Sequence, residues 1–196
     1  MSISLSDLRA SILVALNDQY GYAYSPSDVD AAILRSVRDV ELSLGTNICT
    51  QPVITEYGTN IYSMQVNLYK IISVSLNGVP LLMRTQKERA TELQSVADAV
   101  GRPNRYDHYR ARAIRFYPTP DDAYTIDVEG LTLTQSLDGP TLSTIPDSYG
   151  LHLLAMRAEA YLRMWRPTVT GNIELAQMLG KDFAAFVEVL AHAGRD

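Results

Sequence analysis

The chain of 196 residues is poor in cysteine and histidine and has no long hydrophobic run. Its single cysteine, Cys49, has no partner in the chain for a disulfide, and the three histidines form no cluster at metal-binding spacing. The longest early apolar run, residues 12–16, is far shorter than the roughly 20 residues that a transmembrane helix needs, and no basic segment leads into it. These absences predict a soluble protein of the cytoplasm, with neither a zinc site nor a membrane partner.

Sequence motifs that are typical of catalytic sites are also missing. Gly180-Lys181 lacks the spacing of a phosphate loop, and the chain contains no Gly-x-Ser-x-Gly elbow. The acidic pair Asp121 and Asp122 follows Pro120 in a turn, without further carboxylates at the spacing of a metal site. We therefore expect no catalytic residues, no cofactor and no metal, and a protein that is not an enzyme.

The composition is that of a folded protein with a sizeable core, because 46% of the residues are hydrophobic. Seventeen basic residues stand against 22 acidic ones, a formal net charge of −5. Such a balance argues against a protein that binds nucleic acid over most of its surface, although one basic strip remains compatible with it.

Two helices are predicted at the N-terminus. Ser4 and Asp7 resemble the start of the first, which ends near Asn17. Ser25 precedes Pro26 as the N-cap of the second, and Gly45 is a C-terminal stop. These two helices make up the first predicted region, residues 1–48.

A helical hairpin is predicted at the C-terminus, because apolar residues recur there at steps of three and four. The first stripe comprises Leu151, Leu154, Ala155, Ala158, Leu162 and Trp165, and the second comprises Leu175, Leu179, Phe183, Phe186 and Leu190. Pro167 separates the two helices. Residues 144–196 are therefore predicted to be a helical hairpin followed by a tail.

Between the helix pairs the apolar period changes to two, which indicates strands. Asn77-Gly78 predicts a type I′ hairpin turn between strands 71–76 and 79–83. A short helix is predicted near 87–100, and residues 135–144 are predicted to be a polar connection. The fold class is therefore α+β: a helical bundle from the N- and C-terminal helix pairs, with a mainly antiparallel β-region inserted at 49–143.

Charge is segregated along this inserted region. Residues 84–115 contain eight basic and four acidic side chains, whereas residues 116–147 contain six acids and no base. One interpretation is that the basic segment of one copy contacts the acidic segment of the next. The candidate subunit-contact residues are then Arg102, Arg105, Arg110, Arg112, Asp121 and Asp122.

Two other interpretations of this segregation stay open. The charges could belong to ordinary solvated surfaces. Alternatively, the protein could be a DNA-binding accessory protein that uses the basic 84–115 segment, with tyrosines stacking on bases and arginines holding phosphates. The residues of such a site are Arg102, Arg105, Tyr106, Tyr109, Arg110 and Arg112.

The order of these elements resembles that of the head-to-tail adaptor (connector) proteins of tailed bacteriophages. Four segments carry the resemblance: Ser25-Pro26-Ser27-Asp28 opening the second helix; 70–74 leading to 77–81; 114–120 followed by the strand from Tyr124; and 145–149 opening the helix that holds Ala158, Ala160, Tyr161 and Leu162. Each segment is a turn or a helix cap that is not specific to any family by itself. The resemblance therefore rests on the order and spacing of the four segments over nearly the whole chain.

The resemblance implies a structural virion protein of the neck, assembled in the host cytoplasm. Members of that family form rings, commonly of twelve copies, between the portal protein of the capsid and a tail, stopper or nozzle protein, and DNA passes through the ring without specific binding. The C-terminal segment often reaches the portal. In this chain the corresponding portal-docking candidates are Phe183, Phe186, Val187, Leu190, His192 and Arg195.

Overall fold

The structure, a computed structural model, describes residues 3–18, 20–66, 68–85, 88, 99–110, 112–137, 141–142, 147–166 and 171–193. Within these ranges the chain forms four helices and ten strands, so the α+β class is confirmed. The helices are α1 (Leu5–Ala15), α2 (Pro26–Leu44), α3 (Asp147–Trp165) and α4 (Asn172–Ala193). The strands are β1 (Ile3–Ser4), β2 (Ile48–Ile54), β3 (Ile61–Ser63), β4 (Lys70–Leu76), β5 (Val79–Pro80), β6 (Leu82–Met83), β7 (Arg105–Arg110), β8 (Ala113–Tyr117), β9 (Thr125–Leu131) and β10 (Thr141–Leu142).

The chain divides into two compact units. The helical unit comprises Met1–Asn47 and Thr134–Asp196, and the β-unit comprises Ile48–Leu133. Each unit has its own cluster of buried apolar side chains. The two clusters are therefore separate hydrophobic cores.

In the helical unit, α2 begins and ends where its sequence signals predict. The Ser25 side chain accepts a hydrogen bond from the Asp28 backbone N–H, and the Asp28 carboxylate accepts one from the Ser25 N–H, which together form a capping box. At the other end Gly45 has a φ of 65°, the left-handed conformation in which its N–H reaches the Glu41 carbonyl. Between these caps Val29, Ile33 and Val37 are buried in the core.

Helices α3 and α4 contribute Leu154, Ala158, Leu162 and Phe183 to the same core. Two residues of the predicted apolar stripe of α3 are not buried, since Leu151 is 39% and Trp165 is 43% exposed. Their places in the core are taken by Leu153 and Tyr161, because α3 packs against α1, α2 and α4 and so buries more than one face.

The segment predicted as a polar connection contains a strand. Residues Thr141 and Leu142 of β10 pair with Ser4 and Ile3 of β1 in a two-stranded antiparallel ribbon. This pairing joins residues more than a hundred positions apart in the chain, so no local sequence pattern predicts it.

The β-unit consists of two four-stranded sheets that share one core. The first has the order β2-β9-β4-β5 and is antiparallel. The second has the order β3-β8-β7-β6, with β6 parallel to β7 and the other pairs antiparallel. Val74 and Ile126 of the first sheet and Ile114 and Phe116 of the second lie together in the core.

The predicted hairpin at Asn77-Gly78 is confirmed, with φ values of 53° and 76° at the two turn residues. Its second strand, predicted as one element over 79–83, is divided. Residues Val79–Pro80 pair with β4 in the first sheet, whereas Leu82–Met83 pair with β7 in the second. Leu81, between them, is buried in the core, so the chain crosses from one sheet to the other at that residue.

Strand β2 ends at Ile54, and Tyr57, three residues further along, is a turn residue that is 74% exposed. The short helix predicted near 87–100 falls largely outside the described residues. Its last residue, Val100, forms an isolated parallel bridge with Thr119.

Candidate functional site

The hairpin of β7 and β8 separates the six predicted subunit-contact residues into two groups. Arg105 lies opposite Tyr117, and Arg110 lies opposite Ala113. Ala113 and Tyr117 are four residues apart, about 13 Å along a strand. Arg110 and Arg112 therefore lie at one end of the second sheet, whereas Arg105 and the segment after Tyr117 lie at the other.

The acidic end, defined by Asp121 and Asp122, follows β8. The Tyr124 hydroxyl donates to Asp121 Oδ1 over 2.7 Å, and this hydrogen bond to a carboxylate is the largest cause of the raised pKa of Tyr124. The charge of Arg102 acts on the same hydroxyl in the opposite direction, lowering its pKa. Arg102 therefore lies near the acids at this end, although the sequence places it in the basic segment.

Arg105 also lies at this end and is already paired. Its Nη1 lies 3.4 Å from Glu88 Oε1, and both side chains are 38% exposed. The pKa of Glu88 is lowered, mainly by hydrogen bonds from the Thr85 N–H and hydroxyl and to a lesser extent by Arg105. An exposed ion pair of this kind contributes little to stability.

The basic end, defined by His108, Arg110 and Arg112, presents three exposed side chains at the β7–β8 turn. Beside them the Tyr109 ring has the guanidinium of Arg110 at 5.1 Å from its centroid and that of Arg115 at 4.0 Å. These distances are those of cation–π contacts.

A cavity of about 340 Å³ opens at the basic end. Its lining consists of Met64, Leu68, Tyr69, Ile71, His108, Tyr109, Arg110 and Ala113. Apolar and aromatic side chains thus meet the Arg110 guanidinium and the His108 imidazole in one concave surface, an arrangement suited to an aromatic or anionic group.

The β-unit buries other members of the basic segment. Tyr106 is 5% exposed, and burial raises its pKa. Arg84 is 4% exposed, with its guanidinium 4.0 Å from the centre of the Tyr117 ring. Tyr106 therefore has no free face for stacking on a base, which leaves Tyr109, Arg110 and Arg112 as the compact part of the predicted DNA site.

The portal-docking candidates lie on α4, except Arg195, which is outside the described residues. Phe183 is buried in the helical core, and Phe186, Val187 and Leu190 pack against that core. His192 is exposed, with its Nδ1 2.7 Å from the Glu188 carbonyl oxygen. The adjacent Val189, not among the candidates, is 67% exposed.

A network of charged and aromatic groups holds Phe183 in place. Arg157 Nε donates to Asp39 Oδ2 over 2.7 Å, and the Tyr161 hydroxyl donates to the same oxygen. The Arg157 guanidinium lies 4.9 Å from the centre of the Phe183 ring. Burial, followed by the bond to Asp39, raises the pKa of Tyr161. Docking through Phe183 would therefore require α4 to leave this network.

Three tyrosines, Tyr20, Tyr22 and Tyr24, lie between α1 and α2. Tyr20 and Tyr22 are 81% and 88% exposed, whereas Tyr24 is buried. Asp18, which is 7% exposed, accepts hydrogen bonds from the backbone N–H groups of Tyr22, Ala23 and Tyr24 over 2.8 to 2.9 Å. The sequence contains a signal for this role of Asp18, because aspartate side chains often accept hydrogen bonds from the backbone of a following turn.

Among known protein families, a model described as SU10 adaptor protein matches residues 3–196, nearly the entire chain. The chain belongs to the SU10 adaptor protein family. Because this is a family of bacteriophage head–tail adaptors, the resemblance seen in the order of sequence elements is confirmed. No curated protein matches the chain.

Membership makes this SU10 adaptor a structural component of a virion that interacts with other virion proteins, in a family that is not a class of enzymes. None of its described helices has the length and apolar character needed to cross a membrane. Within the same described ranges, no group of three or more His, Cys, Asp or Glu residues could hold a metal ion.

Proposed function

We propose that this SU10 adaptor forms a ring that joins the capsid portal to the tail and surrounds the DNA channel, in the neck of the virion. The observation that carries the proposal is the family match over residues 3–196. In this proposal, regions 1–48 and 144–196 form a helical bundle that builds the wall of the ring. The inserted region 49–143 contacts the neighbouring copy or the stopper, nozzle or tail protein.

The chemistry of the β-unit supports contact between unlike surfaces. A ring requires that each copy use two different surfaces, one for each neighbour. The basic end, with Arg110 and Arg112, and the acidic end, with Asp121 and Asp122, lie at opposite ends of β8. The basic end is cationic, whereas Arg102 and Arg105 offset Asp121 and Asp122 at the other end, so contact between the two unlike ends avoids the repulsion that two basic ends would meet.

The portal would contact the C-terminal part of α4. His192 and Val189 are exposed there, and Phe183, Phe186, Val187 and Leu190 support the helix from the core side. Exposed apolar residues at a helix end are suited to burial against a partner. The net charge of −5 also suits a protein through which DNA slides, because like charges repel.

The direct test is the mass of the purified protein by light scattering, alone and mixed with a portal ring. We expect a discrete complex with about one adaptor for each portal subunit, and about twelve if the ring is a dodecamer. A monomer in both samples, without binding to the portal, would contradict the proposal.

DNA binding through Tyr109, Arg110 and Arg112 is the alternative, and titration of the same sample with duplex DNA distinguishes it. The adaptor function predicts little affinity at physiological salt. Affinity that falls steeply as salt rises, and that is lost in the Arg110→Ala/Arg112→Ala variant, would favour the alternative.

A further inference from the structure

Tyr20 and Tyr22 form an aromatic pair that the chain holds out into solvent. Their ring centroids are 5.8 Å apart, with 40° between the ring planes. The segment that carries them is ordered by the buried Asp18 carboxylate, which accepts three backbone N–H groups, and by the Gly21 N–H, which reaches the Asp18 carbonyl oxygen over 2.9 Å. Two large exposed rings beside backbone N–H groups that are already hydrogen-bonded resemble the aromatic anchors of protein interfaces.

The cavity at the basic end has the properties that such an anchor needs. Its volume of about 340 Å³ is at the lower end of the ~300–1,000 Å³ typical of ligand pockets, so it suits one or two side chains. Met64, Leu68 and Ile71 supply apolar contact. The Tyr109 ring, with the Arg110 guanidinium 5.1 Å from its centroid, supplies an aromatic and cationic part of the lining for an entering ring.

We propose that the Tyr20–Tyr22 pair of one copy inserts into the cavity at the basic end of the neighbouring copy. The proposal rests on the ring proposed above and names the contact that links successive copies. The pair and the cavity are different surfaces of one chain, so each copy can offer its pair to one neighbour and its cavity to the other. That heterologous pattern is the one that closes into a ring.

The observations favour a protein occupant over DNA. Bases in a duplex are already stacked on each other, so the exposed tyrosines would find single-stranded bases but not the duplex that passes through an adaptor ring. The cations beside the cavity belong to the β-unit, whereas the tyrosine pair belongs to the helical unit. Two copies of this chain supply the contact, the tyrosine pair from one and the cavity from the other.

Photocrosslinking tests the proposal directly. Tyr22 is replaced by the photoreactive phenylalanine analogue p-benzoylphenylalanine, and copies labelled with ¹⁵N are mixed with unlabelled copies on the portal ring. We expect crosslinks between labelled and unlabelled chains that map to residues 64–71 and 108–113. The same analogue at Tyr57, which is 74% exposed and outside the cavity, is the matched control and should not crosslink there.

Substitution gives a second readout. Tyr20→Ala/Tyr22→Ala should unfold at the wild-type temperature but lower the yield of the ring at least tenfold. Two cavity variants, Ala113→Trp, which fills the space, and Arg110→Glu, which removes the cation, should lower the yield in the same way. Melting temperatures identify any variant that fails to fold.

The outcomes separate the two proposals. If the wild-type protein forms no ring on the portal, the ring function and this contact are both overturned. If the ring forms but residue 22 crosslinks elsewhere on the adaptor, to the portal or only within one chain, or if the tyrosine variant assembles normally, only the contact is overturned.

Discussion

The Glu41 carboxylate binds Thr134, 93 residues further along the chain, by two hydrogen bonds. Oε2 accepts from the Thr134 backbone N–H over 2.8 Å, and Oε1 accepts from the Thr134 hydroxyl over 2.5 Å. Oε1 also accepts from the side-chain amide of Asn47 over 2.9 Å. Asn47 is the last residue of the first segment of the helical unit, and Thr134 is the first residue of its second segment. One buried carboxylate therefore binds the ends of both segments.

Replacing Glu41 should therefore destabilise the helical unit. In Glu41→Ala three donors lose a charged acceptor, and we expect the free energy of unfolding to fall by about 2–4 kcal/mol. Urea denaturation followed by circular dichroism measures the change. Glu188→Ala, which removes an exposed glutamate from α4, is the control and should change stability by about 0.5 kcal/mol or less. Equal effects of the two substitutions would show that the bonds to Thr134 and Asn47 do not stabilise the fold.

Replacement by alanine should lower the stability of the protein at Gly130 and raise it at Gly180. A Cβ at Gly130 would lie 2.7 Å from the Lys70 carbonyl oxygen, where β9 pairs with β4, and 2.9 Å from Leu68 Cδ1. Since backbone must move to relieve the clash, we expect Gly130→Ala to destabilise the β-unit by about 1–3 kcal/mol.

At Gly180, within α4, the same Cβ would lie 3.6 Å from Arg157 Nη1, an ordinary contact distance. Alanine favours the helix by roughly 1 kcal/mol over glycine, so Gly180→Ala should stabilise the protein. Thermal unfolding of the two variants provides the comparison. A stable Gly130→Ala variant would mean that β4 and β9 have room to separate.

The features predicted correctly from the sequence are those fixed by neighbouring residues. Ser25, Pro26 and Asp28 specify the start of α2, and Asn77-Gly78 specifies the β4–β5 turn, because a cap or a tight turn depends on a few adjacent backbone angles. The two-residue strands β1 and β10 could not be found in this way. Their pairing depends on the position of segments far apart in the chain.

The candidate site shows the same limit. The sequence places Arg102 in a basic segment, but the chain reverses at the β7–β8 turn and the structure sets this arginine near Tyr124 and Asp121. Segregation of charge along a chain becomes segregation in space only if the chain does not double back. The supporting role of Asp18 was missed for a related reason, since a lone aspartate before a loop has many uses.

The capping box of α2 predicts a pH dependence. The Ser25 hydroxyl and backbone N–H, in that order, hold the pKa of Asp28 below its ordinary value of 3.8, with a smaller contribution from Arg166. Because the folded pKa is depressed, the ionised carboxylate contributes stability above the unfolded pKa, and this contribution is lost as pH falls through the folded one.

The difference in unfolding free energy between the wild type and Asp28→Ala should therefore be constant from about pH 7 to pH 5 and shrink below about pH 4. Ser25→Ala should return the pKa of Asp28 toward 3.8, as measured by NMR titration of its carboxyl carbon. A difference that persists unchanged at pH 2 would show that Asp28 acts through something other than its charge.

Portal docking through the C-terminal end of α4 can be separated from folding because α4 has two kinds of side chain there. Phe183 belongs to the core, so Phe183→Ala should destabilise the helical unit by about 3–5 kcal/mol. A loss of portal binding in that variant could then not be distinguished from a loss of folding. Val189 is 67% exposed, and Val189→Asp should leave the melting temperature within a few degrees of the wild type. If the end of α4 is buried against the portal, the new carboxylate must be desolvated, and we expect the dissociation constant for the portal ring to rise at least tenfold.

Met178→Asp is the matched control for Val189→Asp, because it places the same charge at a half-exposed apolar position nearer the N-terminus of α4. Binding of each variant to the portal ring is followed by biolayer interferometry. Equal loss of binding in both variants would indicate a general effect of negative charge on α4. Unchanged binding of Val189→Asp would exclude the end of this helix from the interface and leave the β-unit as the surface to test next.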